Sequence, residues 1–332
     1  MNIVMIVPTG LGCTIGGHAG DATPAARLLG ACCNKIFLHP NVVNASDINE
    51  MPSNALYIEG SMLSGFLEGD FQLEEVKSNR VLVVTNKPIQ PETVNAVNAA
   101  RACMGVDIVG VLGLDRPLEM LTKFDSNGRA TGEVRGWEEL CKQVHPYDFD
   151  ALAISTVINC PEDVQLKYMR DGGVNPWGGV ESMASELISN RLRLPVAHAP
   201  VQSETISQEL KIFNEIVDPR DGAEVVSWAF LHCVLKGLHK APRLGTGWKN
   251  TDIDYLITPI GCVGRPHQAC MEAGIPIITV QENKSVLNDL MPKEWIHLNT
   301  YLEVAGFLMC KNVGMTVESI SRPLKQTEVF NG

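Results

Sequence analysis

The sequence predicts an α/β fold: mainly parallel sheet or sheets flanked by helices, Rossmann-like, in two lobes. Three observations predict it. Short apolar runs alternate with helix-patterned segments along the chain, as βαβ units do. Most of these runs are continuously apolar, the pattern of strands covered on both faces. The length of 332 residues corresponds to about two domains by the ordinary length rule.

The expected strands run in order over 2–7 (NIVMIV), 35–39 (KIFLH), 55–59, 80–85 (RVLVVT), 106–113, 151–158 (ALAISTVI), 195–199, 254–260 and 275–280. Helices are expected over 23–33, 91–104, 161–170, 179–191, 223–239, 265–273 and 297–311. In the first helix Thr23 suits the cap and Pro24 the first helical position. The segment AEVVSWAFLHCVLKGLHK is apolar nearly all round and reads as a buried helix. The stretch 122–149 is polar and carries Asn-Gly and Thr-Gly turn signals. It places a division between an N-terminal lobe, 1–135, and a C-terminal lobe, 136–332. The stretch APRLGTGWKNTD (241–252) reads as a long surface loop.

Composition excludes several classes of function. A net charge of −11 leaves no whole-chain basic field for nucleic acid or an anionic membrane. No run reaches the roughly 18 apolar residues of a membrane span. The N-terminus lacks a basic region, and its apolar run stops at Pro8, unlike a secretory leader. The 10 cysteines include no Cys-x-x-Cys pair, and buried thiols in a reducing compartment account for them. The expectation is a soluble, cytoplasmic protein with a small-molecule ligand, no nucleic-acid or membrane partner, and homo-oligomerisation left open.

The glycine-rich loop PTGLGCTIGGHAGDATPAARLL (8–29) follows the first strand. Gly10, Gly12 and Gly16 give G-x-G-x-x-x-G rather than the G-x-G-x-x-G of dinucleotide sites. The second strand ends in His39-Pro40-Asn41, without the acid that would hold a ribose, so NAD(P) is disfavoured. A P-loop is excluded because the loop has no lysine. Two readings stay open. One is an anion site in which Gly16, Gly17 and Gly20 supply backbone donors while His18 and Asp21 supply acid/base capacity. The other is a turn that needs positive φ and nothing more.

Ligands of open α/β sheets bind outside the carboxyl ends of the strands, and chemistry-bearing residues recur there. His18 and Asp21 follow the first strand, His39, Asn41 and Asn44 the second, and Glu59 the third. His198 lies in the PVAHA strand, Cys262 follows ITPI, and Asn283 follows IITV. A second glycine run, GGVNPWGGVES, places Gly178 and Gly179 before a helix with Glu181 in its first turn. His18, Asp21, Glu59, Glu181 and His198 are the candidate catalytic residues. Gly16, Gly17, Gly20, Asn41, Asn44, Gly178, Gly179, Cys262 and Asn283 are the candidate ligand contacts. A divalent metal on His18, His39 and His198 is an alternative, since catalytic zinc takes three such ligands and an open position. No G-x-S-x-G elbow is present for serine chemistry.

Two resemblances add to this. GGHAGDATPA is similar to the glycine-rich opening of aspartate racemases, and ITPIGCVGRP to the turn carrying a catalytic cysteine in that superfamily. The likeness implies a role for Cys262, but RVLVVTNK lacks the other expected cysteine and Cys13 lies in a different loop. Over nearly its whole length the chain resembles the mainly cyanobacterial domain-of-unknown-function family numbered 3326, on PTGLGCTIGGHAGDATPAARLL, HPNVVNAS, LYIEG, GGVNPWGGVES, PVAHAP and AGIPIITVQEN. That resemblance implies no particular reaction. The expected function is acid/base chemistry of the hydrolase, lyase or isomerase type on a small polar or anionic metabolite. The alternatives are a non-catalytic metabolite- or nucleotide-binding protein and a cysteine-dependent, racemase-like enzyme.

Overall fold

The apolar runs become strands where expected, and among the described residues five short strands join them. In chain order they are β1 (Asn2–Met5), β2 (Lys35–Leu38), β3 (Ala55–Tyr57), β4 (Gln72–Glu74), β5 (Arg80–Asn86), β6 (Asp107–Leu114), β7 (Glu119–Phe124), β8 (Ala130–Arg135), β9 (Ala151–Val157), β10 (Val196–Val201), β11 (Arg243–Gly245), β12 (Tyr255–Pro259), β13 (Ile277–Val280) and β14 (Ile296–Leu298). The helices are α1 (Thr23–Gly30), α2 (Gly60–Glu68), α3 (Pro91–Met104), α4 (Trp137–Val144), α5 (Glu162–Asp171), α6 (Gly178–Leu192), α7 (Phe230–Lys240), α8 (Arg265–Ala273), α9 (Tyr301–Asn312) and α10 (Val317–Ile320). This computed structural model describes residues 1–17, 20–43, 45–201 and 230–330. His18, Asn44 and the start of the helix expected over 223–239 lie outside them.

The first sheet has the order β14-β13-β12-β1-β2-β3, and every neighbour pair is parallel. Counted within the sheet, this is the doubly wound order 3-2-1-4-5-6. Residues of β1 alternate between two cores, as the period of a strand requires. Ile3, Met5 and Val7 pack with Leu29 of α1 and Val304 and Leu308 of α9. Val4 and Ile6 pack with Phe66 of α2 and Cys270 of α8.

The second sheet, β10-β9-β5-β6, is also parallel throughout. One face packs on α4 and α6 through Leu140, Val144, Ala184 and Ile188. The other packs on α3 and α7 through Val97, Ala100, Leu235 and Leu238. Its strands all fall between β3 and β12, so the second sheet is inserted into the first sheet's crossover. The turn-rich stretch at 122–149 lies inside this inserted segment.

Several local features differ from the sequence reading. Thr23 is not the cap of α1. Ala22 holds that position, and the Thr23 hydroxyl donates to Gly20 O at 2.6 Å. Part of the polar stretch at 122–149 forms the hairpin β7–β8, turned at Asn127-Gly128 with Gly128 at φ +78°, as an Asn-Gly turn favours. The expected loop at 241–252 contains β11, which pairs antiparallel with β4. The helix expected from 297 begins at Tyr301, because residues 296–298 form β14.

β1 is central and its residues Ile3, Val4 and Met5 are fully buried, so truncation there is costly. Met5→Ala is expected to lower stability by about 2–5 kcal/mol, read as a reduced urea midpoint with an unchanged m-value.

Candidate functional site

Helix α6 carries the most chemically suggestive arrangement. Its N-terminus is fixed by Asn175, whose Oδ1 accepts the N–H groups of Trp177 (2.9 Å) and Gly178 (3.2 Å). Gly179 lies so close to the backbone of Ala130 that a Cβ would come within 2.2 Å of its oxygen, so only glycine fits. This packing sets Glu181, in the first turn, against β10. Glu181 Oε1 lies 3.0 Å from His198 Nδ1, and His198 Nε2 lies 3.0 Å from Thr156 Oγ1. His198 is beside Ile154 in the β9–β10 register, so Thr156, two residues on, shares its face. An ionised Glu181 can only accept. Nδ1–H therefore donates to the carboxylate, and in the neutral imidazole the Thr156 hydroxyl donates to Nε2. The result is an acid–imidazole–hydroxyl chain.

A second group forms at the ends of β2 and β3. Glu59 caps α2, its carboxylate accepting the N–H groups of Ser61 (3.0 Å) and Met62 (3.1 Å) and the Ser61 hydroxyl. Burial raises its pKa, the Ser61 and Met62 bonds oppose that, and the nearby negative charge of Glu186 on α6 adds to it. His39 packs against Gly60, where a Cβ would lie 2.9 Å from Nε2. His39 Nδ1 accepts the Asn41 N–H at 3.1 Å, and desolvation lowers its pKa to about 4. No hydrogen bond among the described residues joins this group to His198. Arg265 ties the two regions together, binding Glu68 of α2 through two nitrogens and Glu186 of α6 through a third.

The glycine loop mainly holds the chain's own backbone. Gly16, at φ +85°, donates its N–H to Asp21 Oδ1 at 2.7 Å, and Gly17 donates to Asn41 O at 2.7 Å. Asn41 Nδ2 donates to Thr9 Oγ1 at 2.9 Å, and Gly20 O accepts from Thr23. The crevice between the diverging β1 and β12 loops, where a doubly wound sheet places its ligand, is crossed by the segment following β13. Val286 N donates to Leu11 O, Thr14 N to Lys284 O, and Asp289 N to Gly261 O. Asn283, fully buried, accepts Ile15 N–H and donates to Ile15 O and Tyr301 Oη, each at 2.8–2.9 Å.

A family model described as "Protein of unknown function (DUF3326)" matches residues 2–321. The chain belongs to the DUF3326 family. It is 33% identical over 341 residues to an uncharacterized lipoprotein of Synechococcus sp. (strain ATCC 27144 / PCC 6301 / SAUG 1402/1), an alignment covering 96% of this chain and 92% of that protein. No solved structure matches.

In this DUF3326 chain the remaining candidates have structural partners. Cys262 is buried, its thiol donates to Pro259 O at 3.4 Å, and desolvation pushes its pKa up to about 11, so it is a neutral thiol at pH 7. Gly178 N–H is bound to Asn175 as above. Both nitrogens of His198 are engaged, and among the described residues no group of three His, Cys, Asp or Glu side chains could hold a metal ion. Sequence reasoning missed Thr156. Its only signal was a Ser-Thr pair interrupting the otherwise apolar ALAISTVI.

His267 supplies a pH test. It is 1% exposed and stacks on Trp295. Its Nδ1 accepts Gly264 N–H (3.1 Å), which leaves Nε2–H to donate to Thr258 Oγ1 (2.8 Å). Burial lowers its pKa from 6.5 to about 4. The unfolded chain therefore binds the proton first on acidification. The associated stability, on the order of 3 kcal/mol, is present above pH 6.5 and lost as pH falls through about 4. Thermal melts of the wild type are expected to fall across that window, and His267→Gln is expected to make the fall shallower while the contribution of His39 over the same range remains.

Proposed function

We propose that this DUF3326 chain is an enzyme that performs acid/base chemistry, of the hydrolase, lyase or isomerase type, on a small polar or anionic metabolite. The observation that carries the reading is the chain Glu181–His198–Thr156, with both links at 3.0 Å. Such a constellation fixes a tautomer and orients a proton-transfer group, which is what general acid/base catalysis needs.

We read the chain as acting in a cytoplasm-like compartment. None of the 10 cysteines forms a disulfide within the described residues, and no helix among the described residues is long and apolar enough to cross a membrane. The name lipoprotein belongs to the Synechococcus relative. Here the first cysteine, Cys13, is buried and follows the central strand β1. Lipidation at Cys13 with removal of the residues before it would take β1 out of the first sheet. The intact mass of the protein from its native source is expected to include residues 1–12, with Cys13 unmodified.

The test of the enzyme reading is a mass-spectrometric screen of the purified full chain against small hydroxy-, keto- and amino-acids and their amides, with divalent metals and nicotinamide cofactors supplied. One of these is expected to be converted, and Glu181→Gln and His198→Asn are each expected to slow conversion by about 10²–10⁴-fold. A compound that binds and stays unchanged over hours, or turnover indifferent to both substitutions, would remove this reading.

A further inference from the structure

We infer that Glu181 is the substrate-facing member of the chain and that His198 is a positioning residue behind it. The substrate then presents a hydrogen-bond donor (an ammonium, amide or hydroxyl group) to the Glu181 carboxylate. This inference deepens the acid/base reading and rests on it.

The argument is a gradient of exposure along one hydrogen-bonded chain. Thr156 is 2% exposed. The His198 side chain has no exposed surface, whereas that of Glu181 is 24% exposed. In a serine-protease type triad the order is the reverse: the hydroxyl meets the substrate and the acid lies buried behind the imidazole. Here the hydroxyl is the buried end. Both imidazole nitrogens are engaged within the protein, so neither is left for a ligand. Glu181 Oε1 takes the His198 bond, and Oε2 has no hydrogen bond among the described residues. Oε2 is therefore the atom that meets the substrate.

The roles follow from the donor inventory. His198 Nδ1–H holds Oε1 and so fixes the plane of the carboxylate. The Thr156 hydroxyl, by donating to Nε2, keeps the imidazole in the tautomer that has a proton on Nδ1. In the proton-transfer step an X–H bond of the substrate breaks and its electron pair stays on X. The proton bonds to Oε2, and the carboxylate becomes a neutral carboxylic acid. His198 keeps its Nδ1 proton throughout. Glu181 returns the proton to the product or to water.

Two measurements on the wild-type full chain test the order without a substrate. The native protein is treated with a water-soluble carbodiimide plus glycine ethyl ester, and separately with diethyl pyrocarbonate, and the sites are mapped by peptide mass spectrometry. Glu181 is expected to be amidated. His198 is expected to stay unmodified until urea unfolds the chain. In two-bond ¹H–¹⁵N spectra of histidine-labelled protein, His198 is expected as the Nδ1–H tautomer. Glu181→Ala is expected to release it to a mixture while leaving the His267 pattern unchanged, a change that loss of packing at His198 alone would not confine to this ring. Native modification of His198, protection of Glu181, or an Nε2–H tautomer for His198 would each overturn the inference. If Glu181 is amidated and His198 protected but the metabolite screen yields no turnover, the relay order stands and the enzyme reading falls.

Discussion

The parallel pairing of β1 with β12 is the constraint on which the rest of the structure depends. It sets Ile3 beside Tyr255 and joins two distant parts of the chain in one sheet. Neither segment can bury its faces without the other, because each contributes to cores on both sides of the sheet. Closing so long a loop costs entropy before any contact repays it, and contacts this distant in sequence slow folding. Strands β5, β6, β9 and β10, which lie between β3 and β12, pack as a second parallel sheet with its own two cores. That sheet is an insertion in the first sheet's crossover, not a C-terminal half.

Helix α6 is where the two sheets meet. Its N-terminal glycines approach Thr9 and Ala130, Glu186 shares Arg265 with Glu68, and Glu181 reaches His198. Arg265 is 40% exposed, so water screens its ion pairs and their contribution is modest. Gly178 packs on the Thr9 side chain and Gly179 on the Ala130 backbone. Gly178 and Gly179, candidate ligand contacts in the sequence, also seat the helix. That seating determines where its first-turn carboxylate falls.

The polar residues at the strand ends divide by their environment. Asn283, Asn41 and Glu59 use their polar atoms to fix backbone and neighbouring side chains, and such fully connected groups specify one conformation of otherwise irregular loops. Glu181 differs, because its Oε1 is held by His198 while its side chain is 24% exposed. A group that is oriented on one side and open on the other is the arrangement that binding or proton transfer requires.

The sequence by itself determined the elements. Continuous apolar runs such as NIVMIV and RVLVVT can be buried only on both faces, so parallel strands were legible, and α3 and α8 begin and end where pattern, Pro and Gly signals put them. It also singled out Glu181 and His198, because a second glycine run precedes the helix that carries Glu181 and a histidine stands in the otherwise apolar PVAHA strand. Short pieces such as β4, β11 and α2 were not legible, since their few residues carry too little periodicity and are held by partners distant in the chain. Only the tertiary structure decided that the second sheet interrupts the first, because strand pairing over such separations leaves no local trace. It alone brought Thr156 to His198. It also decided that the glycine loop is filled by the segment after β13, because that outcome depends on which backbone reaches the vacant N–H and C=O groups first in space, not in sequence.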